Sequence, residues 1–497
     1  MILPKQLYRA EQVRALDRVA IDTYNVPGIQ LMENAGAATF RALHECWPRA
    51  RHISVFCGAG NNAGDGFIIA RLAHESELTV TVYLLADPSR LKGDAKIAYE
   101  KLQQTPVPIQ AFDGAIDETC DVIVDALLGT GLSGAVKDQW KTAIDAINHA
   151  KSNTSCHVVA VDIPSGLHAD TGSVLGAAVK ADLTVTFIGL KQGLLTGQGP
   201  DHCGELIFND LEVSPDIYEQ VDTSGHRITE DEVARLLPSR SRGAHKGSNG
   251  HVLIIGGNQG MIGAARMAGE AALRSGAGLV SVATRPEHVA AIVGACPELM
   301  CHGIESKQQL KPLLSAATCI AIGPGLGQDA WAQELLGAVL ETSTPLVMDA
   351  DALNLLAREP VTRANWVLTP HPGEAGRLLE VPTSAIQQDR FAAVTSLQSR
   401  YGGVVVLKGC GTLVCHHDKT IALCDAGNPG MAVGGMGDVL TGILAGCIAQ
   451  SNQLSASANV AVYIHAKAAD LAAAGRGERG LLASDLFPYI QKLVNPA

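Results

Sequence analysis

From Asn428 to Ile443 the chain reads Asn-Pro-Gly-Met-Ala-Val-Gly-Gly-Met-Gly-Asp-Val-Leu-Thr-Gly-Ile, a glycine-rich stretch that hands one carboxylate, Asp438, to the start of an apolar segment. Gly434, Gly435 and Gly437 lack a Cβ, so their N–H groups can come close to a phosphate, and a helix beginning there favours negative charge. Asp438 then stands where a hydroxyl could lose its proton. Val439, Leu440, Ile443 and Leu444 recur at helical spacing, which predicts a helix seated in a core. Taken alone, such a stretch is more simply a turn with Asp438 as its cap. The chemical reading draws its weight from four further clusters.

Four short apolar runs in the same half end in Gly323-Pro-Gly-Leu-Gly327, Asp349-Ala-Asp-Ala-Leu-Asn354, Thr369-Pro-His-Pro-Gly-Glu374 and Lys408-Gly-Cys-Gly-Thr412. Parallel sheets gather ligands at the carboxyl ends of their strands, so the clusters are expected to converge. Singly, Asp351 is an N-cap, His371 a turn residue stiffened by two prolines and Lys408 a solvated strand-end charge. Together they suit phosphoryl transfer, with Lys408 and glycine N–H groups neutralising charge and Asp438 accepting a proton. Gly260-Met-Ile-Gly-Ala-Ala265 has the wrong spacing for a dinucleotide fingerprint.

The first half carries a different set. Gly58-Ala-Gly-Asn-Asn-Ala-Gly-Asp-Gly66 follows an apolar run, and its four glycines suggest close backbone approach to a ligand. It lacks the Lys-Ser/Thr ending of a P-loop. Asp125 leads into Leu127-Leu-Gly-Thr-Gly-Leu-Ser-Gly-Ala135, and a further run ends in Val161-Asp-Ile-Pro-Ser-Gly-Leu167. Asn62, Asp125 and Ser165 offer three hard oxygens from three strand ends, a set suited to a weakly held alkali cation. Any one of them alone reads as an ordinary cap.

These side chains need sheets to hold them. Short β-branched runs alternate with helical segments throughout, the mark of parallel sheets covered by helices. Strands are predicted at 53–57, 78–85, 122–126, 157–162 and 183–188, preceded by a helix with Val13, Leu16 and Ala20 on one face. A second series falls at 252–255, 279–283, 320–323, 346–349, 366–369 and 404–407, with a hairpin at 412–423. Between Leu211 and Arg227 the periodicity lapses into a linker composition, so two α/β domains are expected, 1–222 and 228–497. A length of 497 residues accommodates both. A net charge of −12 gives no basic face for nucleic acid or anionic membrane. The twelve cysteines are scattered without a Cys-x-x-Cys pair, which reads as reduced thiols in a cytoplasmic protein. Pro4, Lys5, Arg9, Glu11 and Arg14 break up any secretory leader, and no apolar window is long enough to span a membrane.

From about Arg227 onward the blocks resemble the ribokinase-like superfamily, and within it the ADP- or ATP-dependent NAD(P)H-hydrate dehydratases. The opening His245-Lys-Gly-Ser-Asn-Gly-His-Val-Leu-Ile-Ile-Gly-Gly257 shares in this likeness. The resemblance implies ADP or ATP, with Mg2+, on Lys408, Gly409, Cys410, Gly411, Thr412 and Gly437. It implies the hydrated nicotinamide nucleotide against Ala264, Gly325, His371 and Asp438, the last as catalytic base. In that family the hydroxyl that water added at C6 is phosphorylated and then leaves as phosphate. Met436 stands where related kinases often carry a small hydroxylated residue.

Residues from about Ala10 to Leu211 resemble the YjeF N-terminal domain, the NAD(P)H-hydrate epimerases, and a Rossmann-like α/β/α fold is implied. The matching blocks include Ala181-Asp-Leu-Thr-Val-Thr-Phe-Ile-Gly-Leu-Lys191. The likeness places the hydrate on Asn61, Asn62, Ala63, Gly64 and Asp65, on Gly129, Thr130, Gly131, Leu132, Ser133, Gly134 and Ala135, and on Asp162. Asn62, Asp125 and Ser165 would hold K+, and Asp162 would do the acid/base work. Ala63 replaces the more usual glycine. The substrates implied are NADHX and NADPHX, and a homo-oligomer is expected. The rival readings are a hydroxymethylpyrimidine- or hydroxyethylthiazole-like kinase with a regulatory first half, and a first half that only senses nucleotides.

Overall fold

The computed structural model describes residues 3–117 and 119–495, so the outermost positions of the two expected domains lie outside the described residues. Contacts divide the chain into two compact units, residues 1–226 and 227–497.

The first unit is built on a 7-stranded sheet of β1 (His52–Cys57), β2 (Thr79–Leu84), β3 (Ile109–Ala111), β4 (Val122–Ala126), β5 (His157–Val161), β6 (Leu183–Phe187) and β7 (Glu205–Asn209). The order is β3-β2-β1-β4-β5-β6-β7 and every pairing is parallel. The winding reverses between β1 and β4, which opens a crevice at their carboxyl ends. Side chains alternate across the sheet: Ile53, Val55, Val122 and Val124 pack with α1 (Ala10–Asp22), α2 (Gly28–Cys46) and α3 (Asn61–Glu75). Phe56, Ile123 and Val158 face α4 (Asp138–Asn153) through Ala143, Ile144 and Ile147. Both faces are covered, which is why the strands read as continuous apolar runs.

In the second unit the strands are β8 (His251–Ile255), β9 (Leu279–Thr284), β10 (Met300–Gly303), β11 (Cys319–Ile322), β12 (Leu346–Met348), β13 (Trp366–Leu368), β14 (Val404–Leu407), β15 (Thr412–Cys415) and β16 (Ile421–Cys424). They run in the order β16-β15-β14-β13-β12-β11-β8-β9-β10. The predicted hairpin supplies the antiparallel pairs β14–β15 and β15–β16, and the other pairings are parallel. Helices α5 (Ile262–Arg274), α6 (Ala350–Arg358), α7 (Pro372–Leu379), α8 (Met436–Ser451) and α9 (Leu454–Arg476) complete what the site requires. No helix among the described residues is long and apolar enough to cross a membrane.

Some expectations shift. β5 and β6 end one residue early because Asp162 and Ile188 turn into the left-handed region at φ 68 and 54. The polar stretch 211–227 is no loose linker, since Leu211, Val213 and Ile217 are buried in the first core. Edge strands β3, β7 and β10 escaped the periodicity because each is short and partly exposed.

Candidate functional site

In the second unit β11, β12, β13 and β14 are consecutive neighbours, so the four strand-end clusters emerge side by side. Asp349, just beyond β12 and 1% exposed, is the centre of the group. Its carboxylate accepts from Lys408 Nζ at 2.6 Å, Thr369 Oγ1 at 2.9 Å and Thr441 Oγ1 at 3.0 Å. Glu374 lies 3.9 Å from the same ammonium and accepts from the His371 N–H at 2.8 Å. Burial works against the Lys408 ammonium, but Asp349 and Glu374 outweigh it and the net shift is upward. Burial pushes Glu374 up to about 7, against the pull of Lys408.

Asp438 enters in the first turn of α8, whose cap Gly435 has φ 94. Burial, aided by Asp349, pushes it up to about 7, while Lys408 draws it down. A carboxylate poised there is suited to take a hydroxyl proton near neutrality. Gly437 lies directly against the ion pair, since a Cβ there would stand 3.3 Å from Lys408 Nζ and 3.4 Å from Asp349 Oδ2. Lys408, Gly437 and Asp438 are therefore brought together. His371 is half exposed and caps α7, its Nδ1 accepting from Gly373 N–H at 3.0 Å. Gly325, with φ 56, adjoins Ala264, whose Cβ would be 3.2 Å from a Cβ at 325. Asp351 joins this loop to the group by accepting from Gly327 N–H at 2.9 Å. Gly409 and Cys410 are exposed, Gly411 is buried and Thr412 begins β15.

In the first unit a cleft of about 620 Å³ opens at the β1/β4 reversal. Asn61, Asn62, Asp65, Gly129, Thr130, Gly131, Leu132 and Asp162 border it. Ala63 is fully buried, and Gly64 faces Met32 and Ala95. Ser133, Gly134 and Ala135 are exposed beyond the cleft border. The glycine-rich segment divides in two, with Ala59 and Gly60 of its turn bordering the cleft. Asn61–Gly66 are the opening turns of α3, and a Cβ at Gly66 would be 2.7 Å from that of Ala126 and 2.8 Å from Cys57 Sγ. Close helix–sheet packing is what demands glycine there.

Asp125 and Ser165 are both 0% exposed. Asp125 accepts from Ser165 Oγ at 2.6 Å and Ser165 N–H at 2.8 Å. Burial pushes Asp125 up to about 6, with these bonds opposing. Asn62 sits under Gly129, whose added Cβ would be 3.5 Å from its own, and its Nδ2 is buried without a hydrogen-bond partner among the described residues.

Sequence reasoning gave no role to Lys191 or Asp17. Lys191 is 0% exposed; its ammonium is ion-paired with Asp162 and donates to Thr186 Oγ1 at 3.0 Å and the Phe187 carbonyl at 3.1 Å. Asp162 itself holds a conformation that a non-glycine residue adopts at a cost, a feature that clusters at functional sites. Asp17 borders the same cleft from α1. The signal for it was available, because it falls four residues after Val13 on the apolar stripe.

Residues 252–492 match the family model described as NAD(P)H-hydrate dehydratase, and residues 28–193 match that of the YjeF-related protein N-terminus. The chain is 52% identical over 490 residues to the bifunctional NAD(P)H-hydrate repair enzyme Nnr of Coxiella burnetii, covering 99% of both. It is 44% identical over 494 residues to that of Escherichia coli, covering 99% of this chain and 95% of the relative. A solved ribokinase-like superfamily protein from Enterococcus faecalis aligns at TM-score 0.50 and 33% identity, over 54% of this chain and 96% of that one. With both halves matched and relatives aligned along nearly its whole length, the chain belongs to the family of bifunctional NAD(P)H-hydrate repair enzymes.

Proposed function

We propose that residues 1–222 interconvert the R and S forms of NADHX and NADPHX and that residues 228–497 dehydrate the S form back to NAD(P)H with ADP or ATP. The observation that carries this reading is the end-to-end match to bifunctional relatives. The two site geometries agree with it. In the second unit Lys408 and the Gly437 loop offer a place for phosphoryl oxygens, and Asp438 is the base for the C6 hydroxyl. Phosphorylation turns a poor leaving group into a good one. In the first unit Asp162 borders a cleft of a size suited to a nucleotide.

K+ fits the first unit: Asp125 is a buried carboxyl beside Ser165 and Asn62, with no cationic partner among the described residues. A monovalent cation would supply the missing charge and fix the Gly129 loop. Asp349 and Glu374 are oxygen donors of the kind Mg2+ takes, and the ion would offset phosphate charge. A reducing, cytoplasmic setting suits twelve free cysteines.

A coupled assay tests the reading by following recovery of NADH absorbance from its hydrate, with ADP or ATP. Residues 228–497 expressed alone should stop after consuming one epimer, whereas the full chain should consume both. Equal consumption of both epimers by the fragment would refute the division of labour, and accumulation of a phosphorylated product would favour a kinase.

A further inference from the structure

Epimerisation at C6 acts on a carbon bearing both a hydroxyl and the ring nitrogen N1. Opening that bond requires one group to take a proton while another gives one. Asp162, ion-paired with Lys191, answers the first need. The second points to α1. Val13, Asp17 and Ile21 recur at four-residue spacing, so one helix face carries all three to the cleft. Asp17 is the acid on that face, and it has no hydrogen bond or ion pair to another described residue. Asp17 is half-buried at the cleft border, so its carboxyl is open to whatever occupies the cleft.

We propose that Asp17 is a second catalytic residue of the epimerase, the proton donor that works opposite Asp162. The proposal rests on the epimerase reading above. As the C6–N1 bond breaks, the hydroxyl proton passes to the Asp162 carboxylate and C6 becomes an aldehyde carbonyl. The bonding electron pair goes to N1, which takes the Asp17 proton. Rotation about the C5–C6 bond presents the other carbonyl face. In the return step N1 attacks C6, its proton goes back to Asp17, and the oxygen recovers the proton from Asp162. No atom or electron is gained or lost.

The surroundings of the two carboxyls differ in the required sense. Asp162 holds a lysine, whereas burial pushes Asp17 up to about 6, with Lys191 and Arg14 drawing it down and Asp162 pushing it up. Like groups in unlike surroundings can take opposite roles. The charged groups facing Asp17 are Arg14 on its own helix, Asp162 and Lys191 from the sheet's carboxyl end, Asp65 on α3 and Asp94 at the rim.

The test uses the full chain and each purified hydrate epimer. Asp17→Asn should lower kcat for epimerisation by about 100-fold or more with little change in KM, as for other positioned acids. The limb of the pH profile on which wild-type activity falls as Asp17 ionises should vanish. Asp17→Glu should recover part of the rate. Dehydration of the S form by the same preparations should stay at the wild-type level, and the unchanged KM for epimerisation together with the partial rescue by Asp17→Glu shows that the first unit is folded. A near wild-type kcat in Asp17→Asn, or a falling limb that persists, overturns the proposal. Absence of epimerisation in the wild type would instead refute the functional reading on which it rests.

Discussion

Replacing Lys408 with methionine tests how the dehydratase site is held together. The variant keeps most of the side-chain volume but removes the ammonium 2.6 Å from Asp349, which is 2% exposed at its side chain. Deleting one partner of a buried ion pair costs about 3 to 5 kcal/mol because the other charge stays buried. Asp349 retains the hydroxyls of Thr369 and Thr441 at 2.9 and 3.0 Å, so the lower end, about 3 kcal/mol, applies. At about 2 to 4 °C per kcal/mol for a large domain, the calorimetric transition of residues 227–497 should fall by about 6 to 12 °C. Lys408 also draws down Asp438 and Glu374, each at about 7, so their titrations should move to higher pH. Any residual dehydration should then rise with pH later than in the wild type, and titration with ADP should give weaker binding. Adding Asp349→Asn should restore part of the stability without restoring activity. An unchanged transition in Lys408→Met, or no recovery in the double variant, would refute the claim that Asp349 depends on this lysine.

Asp438→Asn should keep nucleotide affinity in calorimetric titration and lose dehydration by about 100-fold or more, as expected for removal of a general base. Glu374 has its folded value raised from 4.5 to about 7, so the fold favours its protonated form, and its stabilising contribution is lost as pH rises through that window. Glu374→Gln should therefore gain in melting temperature over the wild type as pH increases from about 4.5 to about 7 and plateau above it; a gain independent of pH would contradict the assignment. Asp125→Ala should weaken hydrate binding and remove any response of epimerisation to K+ over Na+, whereas Asp162→Asn should stop turnover with the hydrate still bound. Equal loss of affinity in both, with a wild type indifferent to K+, would return Asn62, Asp125 and Ser165 to the status of caps.

The convergence of the strand ends was legible because it depends on local signals: apolar runs of strand length, each closed by glycine or a polar residue. The hub was not, because Asp349 gathers partners 20, 59 and 92 positions away along the chain. Nothing in the Asp-Ala-Asp segment tells which carboxylate turns inward until the sheet order is known. Glycine was ambiguous for a related reason. At 437 it lies against a charged cluster, whereas at 66 its missing Cβ lets a helix approach the sheet, and both appear in sequence as glycine near a strand end. Lys191 stood only as the last residue of the block from Ala181, since tertiary packing alone buries it. Asp17 is the instructive case. Periodicity alone puts a carboxyl at the edge of the buried face of α1, a conflict between residue type and position that local propensity does not resolve. Such conflicts can be read from one sequence, whereas their chemical use becomes apparent only when the fold places a second group, here the Asp162–Lys191 pair, on the same cleft.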